Sequence, residues 1–278
     1  MRRTILTLLW LATACIGPAL GQTRKENRGG EAFGQVENLT SVNIRYHEAS
    51  AYRVEVVGTP QDVAQVQTSL HNGLLRITTR GNGRIHKEVH INLYAPQRSL
   101  QRYQSRGSGD FKAHTALHLG NAQFNLSGTG DVALGNVTAT SLDITNQGSG
   151  DIEVRNAQVS ERLNISNRGS GDVELKGRAR QIAIRNNGSG DVDLDLRGES
   201  LKVQNNGSGD VSGKAVVNRF EAHNNGSGNL VMEGRADRVA TSQRGMGKLV
   251  FRNRNRNAQH TSPSNQGNKR DRIRGGRR

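Results

Sequence analysis

Cysteine is almost missing from this chain. Cys15 is the only one in 278 residues, which excludes an intramolecular disulfide and any thiolate metal site. Aromatic residues make up 4% and hydrophobic residues 33%, too few for a thick globular core. The one tryptophan, Trp10, lies near the N-terminus, outside any repeated segment. Proline is scarce at 4 residues against 34 glycines, so the glycine does not belong to a disordered Pro/Gly linker. Beyond the N-terminal segment no apolar run reaches 18 residues, so no later membrane-spanning helix is expected.

What is present begins with an export signal. Arg2 and Arg3 precede the apolar run Ile5–Ala14, and Ala19-Leu20-Gly21 supplies small residues for cleavage, leaving Gln22 first. Residues 1–21 therefore read as a signal peptide. A second reading stays open: Ala12-Thr13-Ala14-Cys15 resembles a lipobox, with Cys15 as a lipidated N-terminus. Both readings export the chain to the periplasm, the outer-membrane surface or the medium. The net charge of +15 is uneven, because residues 251–278 carry nine Lys or Arg against one Asp. The strong basicity reads as a property of the tail, and the body before it as mildly basic.

One motif dominates. Gly107-Ser108-Gly109-Asp110 recurs from Gly128, Gly148, Gly169, Gly188, Gly207 and Gly226, and decays at Gly245-Met246-Gly247-Lys248. The starts are separated by 21, 20, 21, 19, 19, 19 and 19 residues, a period that marks a solenoid. Alternating runs flank each turn, such as Leu201-Lys202-Val203-Gln204-Asn205 before it and Val173-Glu174-Leu175 after it. Period-2 alternation places the aliphatic residues on one face of a strand. Two short strands and two turns are expected to close each coil, with Gly-Ser-Gly supplying torsions that Cβ-bearing residues avoid. A single coil cannot bury its apolar face, but stacked coils bury it against one another. At ~4.8 Å per coil the eight repeats make a rod of roughly 40 Å.

Residues 31–106 read as β structure without the glycine code, forming longer first coils that cap the rod. Strands are expected at Ser41–Tyr46, Tyr52–Val57, Leu74–Thr79 and Val89–Tyr94, a helical turn within 62–70, and a tight turn at His71-Asn72-Gly73. The expected organisation is a signal peptide over 1–21, a solenoid over 31–252 with regular coils over 107–250, and a disordered basic tail over 253–278.

The order of these segments, with Asn72-Gly73-Leu74-Leu75-Arg76-Ile77 and a strand ending at Pro96 leading into tandem Gly-Ser-Gly-Asp-Val coils, resembles the head GIN domain family (DUF2807). The resemblance covers roughly residues 32–251. It implies an all-β, single parallel β-helix, right-handed also by the crossover rule, and an adhesin-like role. It implies no catalytic residue. The tail lacks the alternating apolar strands of a membrane β-barrel, so self-translocation is not expected.

Two repeated polar positions are chemical candidates. Asp110, Asp131, Asp151, Asp172, Asp191 and Asp210 should form a ladder of carboxylates, each fixing its own turn. A sharper reading has divalent cations bridging adjacent carboxylates. Asn146, Asn167, Asn186, Asn205 and Asn224 precede each turn by two residues and are expected to hydrogen-bond along the rod. His86-Lys87-Glu88-Val89-His90 has the wrong order for a zinc motif, and on a strand its imidazoles stand ~13 Å apart. Catalysis needs unlike groups gathered at one place, whereas these carboxylates are spread identically through the coils. No catalytic residue, cofactor or metal is assigned. The expected function is an exported, non-enzymatic adhesin-like or envelope scaffold whose partner is a glycan, an envelope protein or an anionic polymer, with the basic tail touching anionic surfaces and no specific nucleic-acid readout. A periplasmic protein-binding scaffold and a polysaccharide-active enzyme are the alternatives.

Overall fold

The computed structural model describes residues 23–81, 85, 89–113 and 115–260. The expected signal peptide, Cys15, His86 and the tail beyond His260 lie outside them. The chain folds as a β-solenoid of about eight turns.

The N-terminal end is built from strands β1 (Arg24–Asn27), β2 (Gln35–Asn38), β3 (Asn43–Glu48) and β4 (Arg53–Gly58), helix α1 (Pro60–Gln65), and strands β5 (Val66–His71), β6 (Leu74–Thr79) and β7 (His90–Ala95). Thr59 caps α1 by accepting from the Asp62 amide, and Pro60 sits in the first turn, where its missing N–H costs nothing. Asn72 and Gly73 both take positive φ, 50° and 75°, as a two-residue hairpin between β5 and β6 requires. β2 and β3 form a first coil, and β6 and β7 stack on it in parallel. β5 and β4 then cover β6 and β7 in the antiparallel sense, and β1 covers β4. The first coils were expected to be longer, to cap the rod and to be continuous with it. They are continuous with it, and the cap works by reversing direction, which ends the parallel stack and protects its edge.

On the other side of the first coil the ladder continues without interruption. β8 (Arg102–Ser105) lies on β2, and β9 (Phe111–Ala113) on β3. β9 continues through β10 (Leu117–His118) and β11 (Asn121–Leu126) to the next glycine turn, and β11 stacks on β8. The next six coils are single long strands, each running from one glycine turn to the next: β12 (Val132–Asn146), β13 (Ile152–Asn167), β14 (Val173–Asn186), β15 (Val192–Asn205), β16 (Val211–Asn224) and β17 (Leu230–Gln243). The second turn expected in each coil is absent here. The strand bends where two or more outward residues follow one another and the alternation slips. β12 slips twice, from Leu134 to Val137 and from Ala139 to Leu142, whereas β14 slips only between Ala179 and Ile182. Loss of one slip accounts for the shortening of the repeat from 20–21 to 19 residues. β18 (Leu249–Asn253) and β19 (Gln259–His260) both pair with β17, so paired strands continue past the expected boundary at 252.

The core is a set of aliphatic columns. Val132, Ile152, Val173, Val192, Val211 and Leu230 stand in register through successive coils, all nearly inaccessible. The N-terminal end is wider and holds the aromatics: Tyr46, Tyr103, Phe111 and Phe124 are buried together, with the Tyr103 and Phe111 rings 4.4 Å apart.

At the glycine turns the backbones of neighbouring coils touch. A Cβ on Gly148 would lie 1.7 Å from the Gly128 carbonyl oxygen, and one on Gly150 would lie 2.1 Å from that of Gly130. Neither glycine has positive φ. The expected reason for glycine, unusual torsion, is thus replaced by another: only hydrogen fits between turns stacked this closely. Beneath each turn lies a buried asparagine. The Asn186 amide donates to the Gly190 carbonyl at 3.0 Å, and its oxygen accepts from the Gly188 amide at 3.3 Å. Asn146, Asn167 and Asn205 repeat both bonds. Asn38 makes the equivalent pair under a turn without glycine, with Val42 and Thr40. These asparagines were expected to bond along the rod; each instead holds its own turn from below.

Two consequences can be measured by chemical denaturation. Asn186→Ala strands the half-buried Gly188 N–H and the buried Gly190 C=O, and a loss of about 2 kcal/mol is expected. Gly150→Ala forces two coils apart and should cost at least as much, about 3 kcal/mol or more, while Ser149→Ala between the glycines should stay within about 0.5 kcal/mol.

Candidate binding surface

Six aspartates follow the turns, and all of them bond upward. The Asp131 amide donates to Asp110 Oδ1, the Asp151 amide to Asp131 Oδ1, and the Asp172 amide to Asp151 Oδ1, at 3.1, 2.9 and 2.8 Å. Asp191 and Asp210 continue the pattern at 2.8 and 2.7 Å. The expectation that each carboxylate fixes its own turn is therefore corrected: each accepts from the next coil. At the two ends the same bond is made by a neutral residue. The Asp110 amide donates to Asn43 Oδ1, and the Lys248 amide donates to Asn229 Oδ1. An acceptor oxygen is what the position requires, with or without charge. Among the described residues no three His, Cys, Asp or Glu side chains are gathered as a metal site.

Beside this ladder runs an open groove of about 770 Å³. Its floor is the glycine backbone. One wall is the hydroxyl column Thr129, Ser149, Ser170, Ser189, Ser208 and Ser227, and the other carries Ser127, Gln147, Arg168, Asn187 and Asn206. The exposed asparagines on that wall make the along-rod amide ladder that was expected one residue earlier. Asn206 Nδ2 donates to Asn187 Oδ1 at 2.7 Å, and Asn225 Nδ2 to Asn206 Oδ1 at 2.9 Å. The sequence does carry a signal for the hydroxyl wall: between the paired glycines stands Ser, or Thr at 129, in every turn from Ser108 to Ser227.

The chemistry of the surface is that of repeated hydrogen-bonding groups. The carboxyls whose proton affinity the surroundings shift are held down by cations. The Arg155 guanidinium, hydrogen-bonded to Glu153, keeps that carboxyl below its ordinary range. Lys202, and then His223, do the same for Glu221. That direction belongs to ion pairs, opposite to what a general acid needs. His90 opens β7 with its Nε2 3.3 Å from Arg45 Nη1.

The profile of the family described as "Putative auto-transporter adhesin, head GIN domain" matches residues 32–194 and again 164–262. The chain belongs to the head GIN domain family. Solved structures share the fold. A "putative adhesin" from Parabacteroides distasonis superposes with a TM-score of 0.71 at 18% identity, covering 83% of this chain and 97% of that one. A "putative lipid binding protein" from the same organism gives 0.70 at 18% identity, covering 83% and 98%. A "putative adhesin" from Bacteroides fragilis gives 0.61 at 21% identity, covering 83% and 97%. No curated protein matches. For this head GIN chain the family and its neighbours are consistent with an adhesin-like, non-enzymatic role, and no helix among the described residues is long and apolar enough to cross a membrane.

The Asp ladder separates structural from ionic roles in one comparison. Asp172→Asn keeps the acceptor for the Asp191 amide and should leave the melting temperature within about 2 °C. Asp172→Ala removes that acceptor and should cost about 1 kcal/mol. Millimolar calcium should move neither variant nor the parent protein; a calcium-dependent rise in the parent alone would establish cation bridging instead.

Proposed function

We propose that this head GIN protein is an exported, non-enzymatic adhesin-like or envelope scaffold that engages an extended polar polymer along its repeated groove. The observation that carries this reading is the groove itself: six coils present a hydroxyl at one spacing of ~4.8 Å, facing a polar wall, with glycine leaving its floor open. An extended glycan can meet equivalent groups at each coil, so affinity accumulates from weak, similar contacts. The apolar content of the walls is low, which argues against a pocket for a compact apolar ligand. The family description and the adhesin neighbours point the same way. The basic residues from Arg252 onward add attraction for anionic surfaces. A periplasmic role holding an envelope protein on the same face is the second reading, favoured by the absence of any aromatic platform for sugar rings along the groove walls.

Removing residues 172–190 deletes one whole coil and rejoins Gly171 to Asp191, preserving the repeat. Binding to a linear polysaccharide, measured by titration against a panel, should then weaken about threefold to tenfold. Abolition by loss of one particular coil would point to a localised, enzyme-like site and sink the scaffold reading. Protease shaving of intact cells decides the compartment: loss of the protein places it on the outer surface, as an adhesin requires, and protection directs the search to a periplasmic partner.

A further inference from the structure

The arm that follows each glycine turn has its own charge order. In β14 and the residue before it, the outward side chains are Asp172, Glu174, Lys176 and Arg178; in β15 they are Asp191, Asp193, Asp195 and Arg197. Strict alternation holds along each arm, so these four positions share one face. Coil pairing stacks them into columns, with Arg178, Arg197, Val216 and Arg235 in one line. The face is thus acidic along one edge and basic along the other, about 20 Å apart. The acidic edge extends back through Asp151 and Glu153, and the basic edge forward through Arg235.

Lys176 pairs with Glu174 at 2.6 Å within this face, but three features leave it open to a partner. Arg197 and Arg235 make no ion pair among the described residues. Val216, at 49% exposure one of three exposed large hydrophobic residues among the described ones, sits in the basic column. A shallow depression of about 330 Å³ lies at the basic edge, lined by Asn156, Gln158, Lys176, Arg178, Asp195 and Arg197, polar and cationic enough to receive a carboxylate.

We infer that this face binds a second copy of the chain. A two-fold axis parallel to the rods brings the acidic edge of each copy opposite the basic edge of the other, twice over, and so closes the assembly as a dimer. The two rods then point the same way, and their coils lie at the same height, so the rungs of β14 and β15 both make the match. Asp172 and Glu174 face Arg178 of the partner subunit, and Asp191 and Asp193 face Arg197 of the partner subunit. The central column alternates in sign from Lys176 through Asp195, Lys214 and Glu233, so its members can pair diagonally across the axis. A two-fold axis across the rods would set acid against acid, which selects the parallel arrangement. Exposed ion pairs are individually weak and screened within about 8 Å at physiological salt, so the association should be salt-sensitive and favoured where copies are concentrated on a surface.

Sedimentation velocity of the full chain tests this. At about 10 mM salt, where the screening length is about 30 Å, the protein should sediment as a dimer, and in 1 M salt as a monomer. Glu174→Lys with Asp193→Lys puts two cations on the acidic edge, and Arg178→Glu with Arg197→Glu puts two carboxylates on the basic edge; these positions are exposed and leave the Asp ladder intact. Each double variant should remain monomeric at low salt, with an unchanged circular dichroism spectrum. Mixing the two should restore the dimer. A monomeric parent at low salt, dimerisation of either variant alone, or failure of the mixture to pair would overturn the proposal; association seen only on adding a polyanion would assign the basic edge to that polymer instead.

Discussion

The stacking of one Gly-Ser-Gly turn directly on another constrains everything else in this molecule. Carbonyl oxygens of one turn lie where the Cβ of the next would be, so the turns pack at the spacing of strands in a sheet and the corner becomes part of the ladder. Bonds such as Ser170 N–H to the Gly148 carbonyl, 3.1 Å, run coil to coil through the turn. The buried asparagine completes the device from inside, replacing bonds that the corner's backbone cannot find. A turn fixed in this way dictates the position of the strand on each side, and hence the register of every aliphatic column. It also leaves an outward column of hydroxyls and an open glycine floor, so the groove follows from the same constraint that holds the rod together.

Much of this was legible in the sequence, and the failures have a common cause. A period reports which positions repeat, but not whether a repeated side chain finds its partner within its own coil or in the next. The roles of Asp and Asn were exchanged for that reason. The buried asparagine closes its own turn and the exposed aspartate reaches the neighbouring coil, because only a buried side chain can satisfy polar groups facing the core. Asn43 and Asn229, at the ends of the Asp column, carried the missing signal: an uncharged residue at a repeated position shows that charge is dispensable there. The antiparallel cap escaped because pairing between β4 and β7 depends on contacts distant in sequence. Strand β6, by contrast, was placed from its alternation alone over Leu74–Thr79.

Charge was the least legible property. Counted along the chain, the body is mildly basic, with acid and base intermingled. Only when the coil sets the register do Asp172 and Asp191 fall into one column and Arg178 and Arg197 into another. Solenoids convert a sequence offset within the repeat into a lateral position on a face, so a weak linear pattern becomes an edge. The same conversion, applied to serine, makes the groove. Both surfaces are long, polar and repetitive, which suits a scaffold that gathers many weak contacts better than a site that performs one reaction.

Native-state hydrogen exchange tests the stacked-turn account most directly, because surface turns ordinarily exchange fast. The account predicts that the amides of Arg168, Gly169, Ser170 and Asp172, which donate to Asn146, Asn167, Gly148 and Asp151 respectively, exchange as slowly as those of the flanking arms in β13 and β14. Turn amides exchanging freely while the arms stay protected would contradict it, and would make the glycine corners passive links between strands that stack by themselves.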